Sequence, residues 1–156
     1  MEDEYLAKLR KYLEEHDAKC EILNLNTSVA TCVEAAVQMG ENAEDIVKSI
    51  VFYKDDLVII AIVRKEDRID KSKISKFLEL TGIKLTSPDE TLEKTGYPVG
   101  GVPPLGVEAQ YLMDEKAAEK EEVIAGGGNS YTLIKIKTQE LLRLNKAKII
   151  DLRKES

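Results

Sequence analysis

Lys48 is the first residue whose type and place invite chemistry. It interrupts an apolar run, Ile46-Val47-Lys48-Ser49-Ile50-Val51-Phe52. Strand alternation puts it on the face of Ile50 and Phe52. A cation there is costly unless it meets a partner or opens into a pocket. The bland reading is a strand-start lysine that snorkels to solvent along its aliphatic stem. Residues 96–106 come second, with four Gly and three Pro in eleven positions. The adjacent Gly100 and Gly101 let backbone approach a ligand and turn N–H groups toward an anion or a developing oxyanion. Pro98, Pro103 and Pro104 stiffen the loop. Its bland reading is a structural crossing between strands. Residues 126–130, Gly-Gly-Gly-Asn-Ser, come third. They read either as a hairpin turn or as a second pocket wall with Asn129 or Ser130 donating. They match neither GxxxxGK[ST] nor GxGxxG.

These candidates need elements to hold them. Leu6, Leu9 and Leu13 recur at helical spacing, so residues 4–16 read as an amphipathic helix. A strand at 20–25 follows. Thr27 or Ser28 can cap a helix through Cys32, Ala35 and Met39, ended by Gly40. Residues 47–53 and 57–63 read as a central hairpin, apolar on both faces and turning at Lys54-Asp55-Asp56. Asp70 can cap a helix over Ile74, Phe77 and Leu78, and Pro88 opens another over 88–94. Strands near 108–113, 121–125 and 131–136 follow. Thr138 can cap a helix through Leu144, and a strand at 148–152 closes the chain. The expected fold is a single α+β domain over residues 1–156, residues 1–17 forming its N-terminal helix, with a mixed sheet and helices around it.

Composition narrows the functions. The net charge of −6 argues against a dedicated duplex-DNA binder. The acidity is concentrated in residues 1–45, whereas 64–76 and 135–154 are locally basic, at net +3 and +5. Such patches suit a nucleic-acid backbone or plain surface salt pairing. Two cysteines without a CxxC give neither a disulfide framework nor a zinc site, and both read as core thiols. The single His16, at a helix end, gives no catalytic triad and no multi-His metal site. No spacing implies a metal or cofactor. The longest apolar run, residues 57–63, has seven residues, against the about 20 that a membrane span needs. The start of the chain lacks the pattern of a secretory signal, so the expected compartment is the cytoplasm, with no membrane partner.

Together the segments resemble the YbaK family, the freestanding aminoacyl-tRNA deacylases related to the editing domain of bacterial prolyl-tRNA synthetase. Three motifs carry the likeness. Val33-Glu34-Ala35-Ala36 with the run 46–52 is similar to the family's helix and lysine strand. Residues 95–106, Thr-Gly-Tyr-Pro-Val-Gly-Gly-Val-Pro-Pro-Leu-Gly, are similar to its Gly-Gly-x-x-Pro loop. Ile124-Ala125-Gly126-Gly127-Gly128 is similar to its late glycine loop.

The resemblance implies a mostly antiparallel, barrel-like core surrounded by helices. It implies hydrolysis of the ester of a mischarged tRNA carrying a small amino acid, on tRNA for proline. Carried over by motif, Lys48, Gly100 and Gly101 would be catalytic. Thr31, Ser49, Val102, Pro103, Gly126, Gly127, Gly128 and Asn129 would bind substrate. The partners implied are the 3′ end of mischarged tRNA and an aminoacyl-tRNA synthetase. An aminoacyl ester is already activated, so water or a substrate hydroxyl can attack while loop amides stabilise the oxyanion. Lys48 would hold the terminal adenosine's phosphate or the developing charge. The chain departs from the family at Thr31 and Cys32, where bacterial members often carry an aromatic residue. It also departs in its less basic late loop. Cysteine, alanine, serine and threonine remain open as the amino acid removed. The alternative is a non-catalytic module binding adenosine-ended RNA or a small ligand in the same pocket. A third reading leaves the Gly-rich loops purely structural.

Overall fold

A computed structural model describes residues 3–24, 36–37 and 39–155. Helix α1 (Glu4–Glu15) begins at Asp3, whose carboxylate accepts from Leu6 N at 2.8 Å. It buries Leu6, Leu9 and Leu13, as their spacing predicts. Strand β1 (Cys20–Asn24) follows. Strands β2 (Val47–Lys54) and β3 (Leu57–Arg64) form the expected antiparallel hairpin, with Asp55 at φ 51° in its turn. Helix α2 (Lys71–Leu78) is capped by Asp70. The two-residue β4 (Lys84–Leu85) leads to α3 (Pro88–Thr95), which starts with a capping box between Ser87 and Glu90. Then come β5 (Gln110–Asp114), α4 (Glu115–Ala118), β6 (Glu122–Gly126), β7 (Thr132–Lys137), α5 (Thr138–Asn145) and β8 (Lys148–Ile150).

The strands form two sheets, ordered β1-β7-β6 and β4-β2-β3-β5-β8. Pairing is antiparallel except for β3–β5 and β5–β8, so the fold is α+β with a mixed, mostly antiparallel core. The core does not close into a barrel: two sheets face each other. They touch along one edge, by a parallel bridge between Ile46 and Ile124. The main core lies between them: Val47, Val51, Ile60 and Ile62 from one sheet meet Val123, Ala125, Ile134 and Ile136 from the other. Leu9, Leu13 and Leu141 close its ends. On the far side of the larger sheet, Ile59, Ala61 and Val63 pack against Ile74 of α2. β3 is thus covered on both faces, which explains its unbroken apolar run.

Three expectations change. Thr138 does not cap α5 through its side chain; its hydroxyl donates to the Lys120 carbonyl instead. The last strand stops at Ile150, because Leu152 N turns to the buried Asp114 carboxylate at 2.8 Å and its carbonyl accepts from Asp70 N. Cys20 is half-buried rather than a core residue, and burial pushes its thiol up to about 12. Thr27, Ser28, Thr31 and Cys32 lie outside the described residues, with most of the helix expected there.

Candidate active site

β2 has a partner on one side along its whole length and on the other only in part. At its start, Ile46 bridges to β6; at its end, Phe52 and Tyr53 pair with β4. Between these points no described strand pairs with that edge, and a cleft of about 510 Å³ lies against it. Thr86 N and Thr86 Oγ1 both donate to Val51 O, so the backbone of Val51 faces this edge. Antiparallel alternation then turns the Ser49 amide and carbonyl toward the cleft as well.

Lys48 lines the cleft from β2, and Lys65 lines it from just beyond β3. Lys65 is placed there by its amide, which donates to Ile46 O at 3.1 Å. Lys48 has no hydrogen bond or ion pair among the described residues. Its acidic neighbour Asp67 is already held by Arg64 through two bonds of 2.7 and 3.0 Å. Burial lowers the Lys48 pKa below its ordinary value; Asp67 opposes the shift and Arg68 reinforces it. This half-buried cation is therefore desolvated and uncommitted, the state in which it attracts an anion most strongly.

The facing wall is the loop 96–106. Gly96 ends α3 at φ 80°, and its carbonyl accepts from Lys8 Nζ at 2.8 Å. Tyr97 is buried beneath, with Lys8 4.1 Å over its ring. Gly101 N donates to Pro98 O at 2.9 Å, closing a turn whose third residue, Gly100, has φ 84°. A type II turn demands that sign at that position, hence glycine. Farther on, Asn145 Nδ2 donates to Pro104 O at 2.9 Å. The Gly100 N–H makes no hydrogen bond among the described residues, and Gly100 is exposed at the cleft. The site thus offers a cation and a backbone N–H without a bond among the described residues, at one largely apolar cleft. That arrangement suits an ester beside a phosphate: one group for the phosphate, one for the carbonyl oxygen.

Residues 26–144 match the aminoacyl-tRNA editing domain family. The chain belongs to that family. It is 27% identical over 147 residues to the uncharacterized protein YwhH of Bacillus subtilis (strain 168), covering 92% of this chain and 93% of that one. It is 26% identical over 99 residues to a proline–tRNA ligase of Thermotoga neapolitana, covering 64% of this chain but only 17% of the ligase. A crystal structure provisionally described as a trans-editing enzyme for prolyl tRNA synthetase superposes with a TM-score of 0.87. That chain is 28% identical to this one, with 99% of this chain and 100% of the other covered.

Within this editing domain, Lys48, Ser49, Gly100, Val102 and Gly126 come together around the cleft. Gly101, Pro103, Gly127, Gly128 and Asn129 are not among the residues that line it. The Gly101 amide is consumed by Pro98, which removes it as an oxyanion donor. Its carbonyl accepts from Gly128 N at 2.8 Å, so the two glycine loops are bonded backbone to backbone. Gly127 N donates to Thr132 O at 2.9 Å. Asn129 Nδ2 donates to Asp3 Oδ2 at 2.7 Å, tying the late loop to the cap of α1. Thr31 lies outside the described residues. Lys65, Thr86 and Thr91 were not singled out by sequence reasoning, although all three line the cleft. Lys65 lies one step past the Val47↔Arg64 pair of the β2–β3 register, opposite Ile46. Thr86 and Thr91 carried no sequence signal, since their place depends on the pairing of β4. Among the described residues, no group of three His, Cys, Asp or Glu side chains could hold a metal. No helix among them is long and apolar enough to cross a membrane.

Proposed function

We propose that this protein is a trans-editing hydrolase that clears a small amino acid from mischarged tRNA for proline. Supporting this are the family membership and one observation above all: Lys48, desolvated and without a partner among the described residues, lines the same cleft as Gly100, whose N–H makes no bond among them. The 3′-terminal adenosine enters with its phosphate at Lys48 and Lys65. The ester carbonyl lies against the Gly100 N–H, which stabilises the oxyanion as the tetrahedral intermediate forms. Water attacks the carbonyl carbon, its hydroxyl joining the acyl group and its proton passing to the departing ribose oxygen. The ester C–O bond then breaks, and the tRNA hydroxyl leaves with a proton. The Val102 and Leu133 side chains narrow the acyl end, so that small amino acids fit and larger ones do not. The work is done in the cytoplasm, beside the synthetase that makes the error.

The test is deacylation of Ala-, Cys-, Ser- and Thr-tRNA for proline by wild type and Lys48→Ala. The expected result is clearance of at least one ester by wild type and loss of roughly 10²–10³-fold in the variant, as for removal of one electrostatic contact to the transition state. Turnover of no ester by folded protein, or full activity in Lys48→Ala, overturns the reading.

A further inference from the structure

The cleft carries a hydroxyl that the proposed chemistry does not use. Among the described residues, three hydroxyl side chains line it: Ser49, Thr86 and Thr91. Two are committed. Thr86 Oγ1 donates to Val51 O at 3.1 Å and shares a 2.7 Å bond with Thr91 Oγ1, which also reaches Ser87 O at 2.9 Å. Ser49 Oγ is buried and has no hydrogen-bond partner among the described residues. Its side chain shares the strand face of Val47 and Val51, which belong to the core between the sheets. Among the described residues, Val47, Val51 and Val102 in that core bring it no polar side chain. A buried hydroxyl left unsatisfied in this way destabilises the protein unless something supplies a partner. Ser49 also lines the cleft, where a ligand can supply that partner.

We infer that Ser49 is a specificity residue whose hydroxyl bonds a hydroxyl on the substrate's amino-acid side chain, so that seryl and threonyl esters are the preferred substrates. This rests on the editing reading above. The α-ammonium shared by all aminoacyl esters has another acceptor, the Ser49 carbonyl on the cleft edge of β2, which leaves the hydroxyl for the side chain. Alanine brings no group to bond it. The cysteine thiol is a weak donor and a weak acceptor. Selection works by difference: a seryl or threonyl ester satisfies the buried hydroxyl, and an alanyl ester leaves it orphaned.

The experiment compares kcat/KM of wild type, Ser49→Ala and Ser49→Thr on Ser-, Thr-, Ala- and Cys-tRNA for proline, with Lys48→Ala beside them. Wild type is expected to clear the seryl and threonyl esters fastest. Ser49→Ala should lose about tenfold more on those two, the weight of one hydrogen bond, than on the alanyl and cysteinyl esters. Ser49→Thr keeps the hydroxyl and should retain the preference. The melting temperature of Ser49→Ala should equal or exceed that of wild type, since an unpartnered hydroxyl is removed. An equal loss on all four esters would mean that Ser49 holds a feature common to them, and would overturn the inference. So would a wild-type preference for the alanyl or cysteinyl ester, or an unchanged profile in Ser49→Ala. In each of those cases wild type is active and Lys48→Ala is not, so the editing reading stands while the specificity inference falls. Absence of turnover on every ester removes both.

Discussion

Replacing Gly101 by alanine tests the idea that the cleft's walls are set by two loops in backbone contact. An added Cβ would lie 2.8 Å from the carbonyl carbon and oxygen of Gly128 and 2.9 Å from Asn129 Cα. All three are backbone atoms, so no side-chain rotation relieves the clash. The late loop has little room to retreat. A Cβ at Gly128 would itself meet Tyr5 O at 3.2 Å, and Asn129 is tied to Asp3. The loops must therefore part, straining the 2.8 Å bond from Gly128 N to Gly101 O. Overpacking of this kind costs about 1–3 kcal/mol, and a weakened hydrogen bond adds about 1 kcal/mol. At about 2–4 °C per kcal/mol for a chain of this size, the melting temperature should fall by roughly 4–16 °C. The displaced wall carries Gly100, so deacylation well below the melting point should also fall, on the order of 10²-fold. Thermal denaturation followed by circular dichroism, with deacylation measured in parallel, reads both effects. A melting temperature within about 2 °C of wild type, with activity retained, refutes the reasoning.

Two further expectations concern pH. Burial lowers the Lys48 pKa, so its cationic form is lost earlier on the alkaline side than that of an ordinary lysine. After subtraction of spontaneous ester hydrolysis, the enzymatic kcat/KM should decline at a pH below 10.5, and a plateau extending to that value would sink the assignment. Glu140 accepts from Arg143 at 2.7 and 3.0 Å and from Lys19 N at 2.8 Å; the Arg143 bonds, then the Lys19 amide, hold its carboxyl down to about 2. Its folded pKa is depressed, so its stabilisation is complete above the ordinary glutamate value of about 4.3 and is lost as pH falls toward the folded one. Glu140→Gln should therefore melt below wild type at neutral pH, with the gap closing between about pH 4.3 and the folded pKa. A gap independent of pH across that window would mean that the carboxylate's charge is not what links α5 to the start of β1.

Much of this protein is legible in its sequence because the signals are local. Leu6, Leu9 and Leu13 announce α1 through spacing alone, and Pro88 announces the start of α3 because its fixed φ suits a first helical turn. Lys48 stands out because a cation in an apolar strand needs a reason, and the Gly/Pro content of residues 96–106 forbids regular structure. What stayed hidden depends on contacts between distant segments. Residues 47–53 read the same whether or not a strand lies beside them. Only the assembled sheets show that β6 leaves that edge at Ile46 and β4 joins it at Phe52, opening the cleft between. Gly100 and Gly101 are the same residue type in the same loop; the closing of a turn on Pro98 leaves one amide without a bond among the described residues and consumes the other. Thr138 reads as a cap, yet a carbonyl from residue 120 outcompetes its own helix for the hydroxyl. Residue types and periods thus determine which elements form and which side chains are out of place. Long-range register decides which backbone groups are left unpaired, because a hydrogen bond spent on one partner is unavailable to another.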